Sequence, residues 1–220
     1  MNKLTNKTII KSISYDQIEI LSNIISLYCP EGFHIDCTYS KGNFYTKPIF
    51  VPQPKIKLDL YPQQRGVIQA DSRNLPFQNE SIRSIVFDPP FTVGTGPSLS
   101  LKKKGSNIIA TRFGRYASIK KLWEMYSTSL KEFYRVLNPN GILVFKCQDT
   151  IDSSKQYLSH VYVINQASRI GLYPIDLFIL LTKTVIIGKT NKYRQLHCRK
   201  FHSYFIVFKK EMSKIEYIGE

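Results

Sequence analysis

The tetrapeptide Asp88-Pro89-Pro90-Phe91 closes an apolar run, residues 82–87, and leads into a polar stretch rich in Gly and Lys. An acid, two prolines and an aromatic ring at a strand end make a rigid corner, because each proline fixes φ and removes a backbone donor. The corner presents a carboxylate, a carbonyl that no strand partner uses, and a flat ring. Those groups suit the gripping of a planar ring by its exocyclic amine. The plainer alternative is a Pro-Pro turn with Asp88 as a cap, and only context decides between them.

Three further acids stand at or near the ends of strand-like runs: Asp36 in 33–37, Asp59 in 56–60, and Asp71 directly after 66–70. Ligands of open parallel sheets bind at the carboxyl ends of the strands. Four acids from separate parts of the chain can therefore converge on one crevice, although each alone is more often a cap or turn residue.

The elements that must position these acids are legible as alternating periods. Residues 15–28 read as a helix, with Ile18, Leu21, Ile25 and Tyr28 at helical spacing and Asp16 as its cap. Pro30-Glu31-Gly32 ends it. Residues 38–42 form a polar loop, and three prolines in 44–55 exclude a regular helix there. A second helix spans 118–137, its stripe made by Leu122, Met125, Tyr126, Leu130, Phe133 and Leu137. Asn138-Pro139-Asn140-Gly141 stops that helix, and 142–147 is a buried strand. A third helix spans 156–170 and is closed by Gly171; the last strands are 177–181 and 203–208.

This alternation predicts an α/β fold: a mostly parallel sheet of about seven strands with helices on both faces. Only residues 61–65 separate the second and third strands. Parallel neighbours ordinarily need a crossover of about a dozen residues. Either the helix is missing there or one strand is misassigned, so the first half of the sheet is expected to be reduced.

The 220 residues suit one domain, 1–220, with a basic loop at about 92–116 and no separate target-recognition domain. Thirty-one Lys and Arg against 16 acids leave a formal charge of +15. Such an excess favours polyanions. An aromatic content of 13% adds rings that stack on unpaired bases while cations track phosphates. Lys102, Lys103, Lys104, Arg112 and Arg115 concentrate charge directly after the corner, and residues 183–200 form a second basic, turn-rich stretch. No apolar run approaches a membrane span, and the polar first eleven residues lack a secretory segment. An intracellular protein is expected, cytoplasmic or nuclear. The four cysteines are isolated, and the loose group His197, Cys198, His202 is a poor metal site, so no metal is expected.

With these parts in place, the chain resembles a Rossmann-like class I S-adenosylmethionine-dependent methyltransferase. More narrowly, it is similar to the enzymes that methylate adenine N6 in DNA, which carry Asp-Pro-Pro-Tyr or Asp-Pro-Pro-Phe after the fourth strand. The resemblance runs over residues 15–209. It is carried by Ala70-Asp71-Ser72-Arg73-Asn74-Leu75-Pro76-Phe77, by Val86-Phe87-Asp88-Pro89-Pro90-Phe91, and by Asn138-Pro139-Asn140-Gly141-Ile142-Leu143-Val144. The family's glycine-rich first loop is reduced here to Thr38-Tyr39-Ser40-Lys41-Gly42.

The resemblance implies S-adenosyl-L-methionine as cofactor. Asp59 would hold the ribose hydroxyls, and Asp71 with Ser72 the adenine. Asp36, Thr38 and Gly42 would border the methionine end, and Tyr15 would close over it. Asp88 and the Pro89 carbonyl would accept hydrogen bonds from the target amine, favouring a pyramidal nitrogen with an available lone pair. That is electrostatic preorganisation. Pro90 stiffens the corner and Phe91 stacks on the flipped base. Flipping costs a few kcal/mol, against which stacking returns roughly 1–3 kcal/mol.

The expected activity is methylation of adenine N6, with DNA favoured over RNA as partner and a homodimer or second subunit helping specificity. An RNA base-amine methyltransferase is the alternative. A silent methyltransferase-fold subunit that binds nucleic acid is a third reading, motivated by the reduced glycine loop and opposed by the intact Asp88.

Overall fold

The structure, a computed structural model, describes residues 9–93, 116–183 and 197–211. Its strands are β1 (Ile13–Ser14), β2 (Ile35–Asp36), β3 (Ile56–Asp59), β4 (Ile68–Gln69), β5 (Ile82–Phe87), β6 (Leu137–Cys147), β7 (Thr150–Asp152), β8 (Lys155–Tyr157), β9 (Leu172–Leu181) and β10 (His202–Lys210). The α-helices among the described residues are α1 (Gln17–Tyr28), α2 (Ile119–Val136) and α3 (Ser159–Ser168).

Eight strands make one sheet in the order β1-β9-β10-β6-β5-β2-β3-β4. β10 runs antiparallel to both neighbours, and the other pairings are parallel. From the centre outwards, chain order advances through β2, β3 and β4 on one side and through β5 and β6 on the other. It reverses between β2 and β5, and such a switch point opens a crevice at the strands' carboxyl ends. This is the Rossmann-like arrangement expected from the sequence.

Helices cover both faces. On one, α2 buries Leu122, Met125, Tyr126, Leu130 and Phe133 against Phe87, Leu143 and Phe145, with Val163 and Ala167 of α3 alongside. On the other, α1 buries Ile20, Leu21, Ile24 and Ile25 with Val86, Val144 and Phe205. Asp16 caps α1 by accepting the Ile18 N–H at 2.8 Å, and Ser118 caps α2 by accepting that of Lys121 at 3.4 Å.

The first half of the sheet is reduced as anticipated. Both doubtful strands exist, and the helix between them is what is missing. Only two residue pairs join β3 to β4 (Leu58 to Ile68, Asp59 to Gln69), so residues 60–67 need retrace only a short distance. Between β2 and β3 a single 3-10 turn, Asn43–Tyr45, stands in place of an α-helix and is held by ring contacts. Tyr39 stacks on Tyr45 with ring centroids 5.4 Å apart, and Phe44 packs on Phe205 at 6.0 Å.

Four expectations need correction. β1 was not foreseen; its two residues pair in parallel with Ile179 and Leu180 at the sheet's edge. Residues 138–141 belong to the span of β6, as a bulge between the pairs Ile82–Leu137 and Ser84–Ile142. The third helix begins at Ser159, because Gln156 and Tyr157 form β8, which pairs antiparallel with β7. β9 starts at Leu172, five residues earlier than expected.

Candidate active site

β2 and β5 are direct parallel neighbours, so Asp36, the last residue of β2, and Asp88, one past β5, emerge side by side. Thr38 ties them together. Its N–H donates to Asp36 Oδ1 at 2.8 Å, and its hydroxyl accepts the Asp88 N–H at 2.7 Å. The cleft beside them is lined by Gln17, Asp36, Thr38, Tyr39, Ser40, Asn43, Phe44, Asp88 and Lys146.

Asp36 is 2% exposed. Its second oxygen accepts the Tyr45 hydroxyl at 2.8 Å. Burial pushes its carboxyl up to about 7, a rise that the Thr38 and Tyr45 donors oppose and the nearby Asp88 assists. The same burial, with Asp36 beside it, raises the Tyr45 phenol well above its ordinary value.

Asp88 meets a cation. Lys146 Nζ lies 3.2 Å from Asp88 Oδ2 and donates to Gln17 Oε1 at 3.0 Å. The register explains the pairing. Phe87 is opposite Phe145 in the parallel β5–β6 pair, so the next residues, Asp88 and Lys146, come out together on the α1 face. The ammonium also sits over the rings of Phe44 and Phe205, at 5.2 and 5.3 Å from their centroids.

The corner is pinned from the opposite face. The Tyr126 hydroxyl on α2 donates to the Pro90 carbonyl at 3.0 Å, next to the Pro89 carbonyl expected to receive the substrate. Phe91 is half-buried. Just beyond, Val93 forms a parallel bridge with Tyr116, and the Tyr116 N–H donates to the Thr92 carbonyl. The two ends of the basic segment thus meet beside the corner. Lys102, Lys103, Lys104, Arg112 and Arg115 themselves lie outside the described residues.

The other expected residues are distributed along the same sheet edge. Asp59 accepts the Ser40 and Tyr61 N–H groups, each at 2.8 Å, and burial raises its carboxyl. The 38–40 turn is therefore held between two carboxylates. Gly42 sits at φ +71°, and a Cβ there would lie 2.6 Å from the Tyr39 hydroxyl. Only glycine allows this close approach. Asp71 is committed to the Arg73 guanidinium in a two-pronged bond that lowers its carboxyl. Ser72 bonds Ser129 of α2 at 2.9 Å. Tyr15 is 61% exposed, with Lys183 over its ring.

The cleft thus gathers Asp36, Thr38 and Asp88, with Asp59 anchoring its rim. Asp71, Ser72 and Tyr15 are not among its lining residues. Sequence reasoning missed Lys146, Gln17, Phe44, Tyr45 and Tyr126. One signal was present: Lys146 interrupts an apolar run, and lysine is almost never buried without a partner. His197 and His202 bond to the Ser154 carbonyl and the Tyr204 hydroxyl, and no trio of His, Cys, Asp or Glu among the described residues is placed to hold a metal.

A cofactor with an ammonium group, a ribose and an adenine finds matching groups at its first two ends. Asp36 supplies a buried carboxylate. Asp59 keeps a lone pair on each oxygen after its two backbone bonds. Asp71 and Ser72 already have protein partners, so the adenine end is the least prepared.

No protein-family model matches the chain, and no curated protein matches it. Solved structures do. The 1,6-didemethyltoxoflavin-N1-methyltransferase of Burkholderia thailandensis, solved with 1,6-didemethyltoxoflavin and S-adenosylhomocysteine, is similar at TM-score 0.52 and 10% identity, over 90% of this chain and 79% of that one. TrmN of Thermus thermophilus is similar at 0.50 and 12%, over 88% of this chain and 48% of that one. A second Thermus thermophilus protein, provisionally named a DNA modification methylase, matches at 0.42 and 14%, over 68% of this chain. The chain spans 54% of that protein's length. What the first two of these share with the chain is the fold, that of class I methyltransferases.

Proposed function

We propose that the protein transfers a methyl group from S-adenosyl-L-methionine to the exocyclic N6 amine of adenine in nucleic acid, DNA foremost. The observation that carries this reading is the delivery of Asp88 into the same cleft as Asp36 and Thr38, at the switch point of the sheet. When bound, the cofactor would supply a methyl carbon activated by its sulfonium. Asp36 and Thr38 would hold its methionine end and Asp59 its ribose. Asp71 and Ser72 are the residues proposed for its adenine, a role that requires them to share their present partners.

The chain's own groups would then prepare the nucleophile. Asp88 Oδ1 and the Pro89 carbonyl accept the two N–H bonds of the target amine, so its lone pair turns towards the methyl carbon. Phe91 stacks on the base, and Tyr126 keeps the corner from receding. The methylated amine loses its proton readily, so no strong base is needed. The excess positive charge supports a polyanionic partner.

The test is incubation of the protein with methyl-labelled cofactor and unmethylated DNA or RNA, followed by nucleoside analysis. N6-methyldeoxyadenosine is expected. Label confined to RNA would move the substrate to RNA, and tight cofactor binding without label in either would leave a silent subunit.

A further inference from the structure

Lys146 takes no part in the proposed methyl transfer, yet it is the best-held cation among the described residues near the corner. It is 8% exposed, near the carboxyl end of β6, directly after the apolar run 142–145. Burying an ion pair seldom adds stability over an apolar pair of the same volume. The position is therefore costly to maintain for packing alone. An ammonium carries three N–H donors. Asp88 and Gln17 take two of them, and the two phenylalanine rings hold the head in place. One donor remains for whatever enters the cleft that Lys146 lines.

We infer that Lys146 and Asp88 together read the Watson–Crick edge of the target base, with Lys146 as a specificity-determining residue. The inference rests on the base-amine reading of this cleft. An acceptor and a donor 3.2 Å apart form a pair that matches an amine beside a ring nitrogen acceptor. Side-chain amides recognise adenine by the same bidentate logic, one acceptor and one donor set side by side. Asp88 takes an N–H of the amine, and Lys146 donates to the adjacent ring nitrogen. Adenine offers N6 beside N1, and cytosine offers N4 beside N3. On the same edge of guanine, the amine's neighbour is N1–H, a donor facing a cation. The pair thus selects adenine or cytosine and rejects guanine.

The experiment compares kcat/KM on single-stranded oligothymidylates that carry one adenine, one 1-deazaadenine or one guanine. The 1-deaza analogue keeps the amine and lacks the N1 acceptor. In the wild-type protein, loss of a bond to a charged donor should lower kcat/KM on the order of ten- to a hundredfold. Lys146→Met should erase the difference between adenine and its 1-deaza analogue while leaving cofactor affinity unchanged. If that variant does not fold, the wild-type comparison decides alone. Equal rates on adenine and 1-deazaadenine, or methylation of guanine, overturn the inference and leave base-amine methylation standing. Loss of cofactor binding in Lys146→Met also overturns it, by making Lys146 a cofactor ligand. Cofactor binding with no methylation of any oligonucleotide sinks the base-amine reading, and the inference falls with it.

Discussion

Asp88 and Asp36 face one cleft and differ in what surrounds their carboxylates. Asp88 has an ammonium at 3.2 Å; Asp36 has only neutral donors from Thr38 and Tyr45. The first is equipped to stay an acceptor for an amine. Asp88→Asn keeps the shape and loses the charge, so methyl transfer should fall by roughly 10²–10³. Cofactor affinity, measured by calorimetry, should hold; a variant retaining a tenth of the wild-type rate would remove Asp88 from this role. For Asp36 the folded carboxyl, at about 7, lies above its ordinary 3.8. Between these values the native state binds more protons at this carboxyl than the unfolded state, so the stability it contributes is fully present below about pH 4 and is lost as pH rises through 7. Urea midpoints should fall from pH 5 to 7 and level off above, and Asp36→Asn should flatten the profile. A wild-type midpoint that rises over that interval contradicts the assignment.

The corner is held as much by α2 as by β5. Phe87 packs edge-on against Phe133 and Phe145, and Tyr126 reaches past them to the Pro90 carbonyl. Tyr126→Phe removes that bond and little volume. It should cost about 1 kcal/mol of stability and lower kcat, with cofactor affinity intact. Thermal melting and steady-state rates measured together would check this; an unchanged kcat would show that the corner keeps its place without α2. How well each element could be read follows from its length and period. The apolar stripe of α2 repeats over five turns and left no ambiguity. The β7–β8 hairpin went unseen because it is short and polar. Its turn, Ser153-Ser154, takes positive φ at both positions without the Asn-Gly or Asp-Gly that marks such turns. The late start of α3 follows from that omission.

At the scale of the molecule, a net charge of +15 is available to a polyanion, and the ends of the basic segment meet at Val93 and Tyr116 beside the corner. Replacing Lys102, Lys103 and Lys104 by alanine should flatten the salt dependence of DNA binding. The slope of log K against log salt should fall by about 0.9 for each phosphate left without its lysine. Binding titrations from low to moderate salt would measure it; an unaltered slope would move the phosphate-binding role to residues 183–200. The sequence by itself determined the α/β class, the three helices, the corner and the four acids at strand ends, because those signals are local: apolar period, proline and strand termini. Tertiary structure decided the rest. Only the parallel register of β5 and β6 brings Lys146, 58 positions along the chain, to Asp88. Only packing onto Phe205 of β10 seats Phe44, and with it the 3-10 turn 43–45, where an α-helix would otherwise cover the sheet. Partnerships of this kind depend on which strands are neighbours and which face each side chain takes, and neither is written in any single stretch of residues.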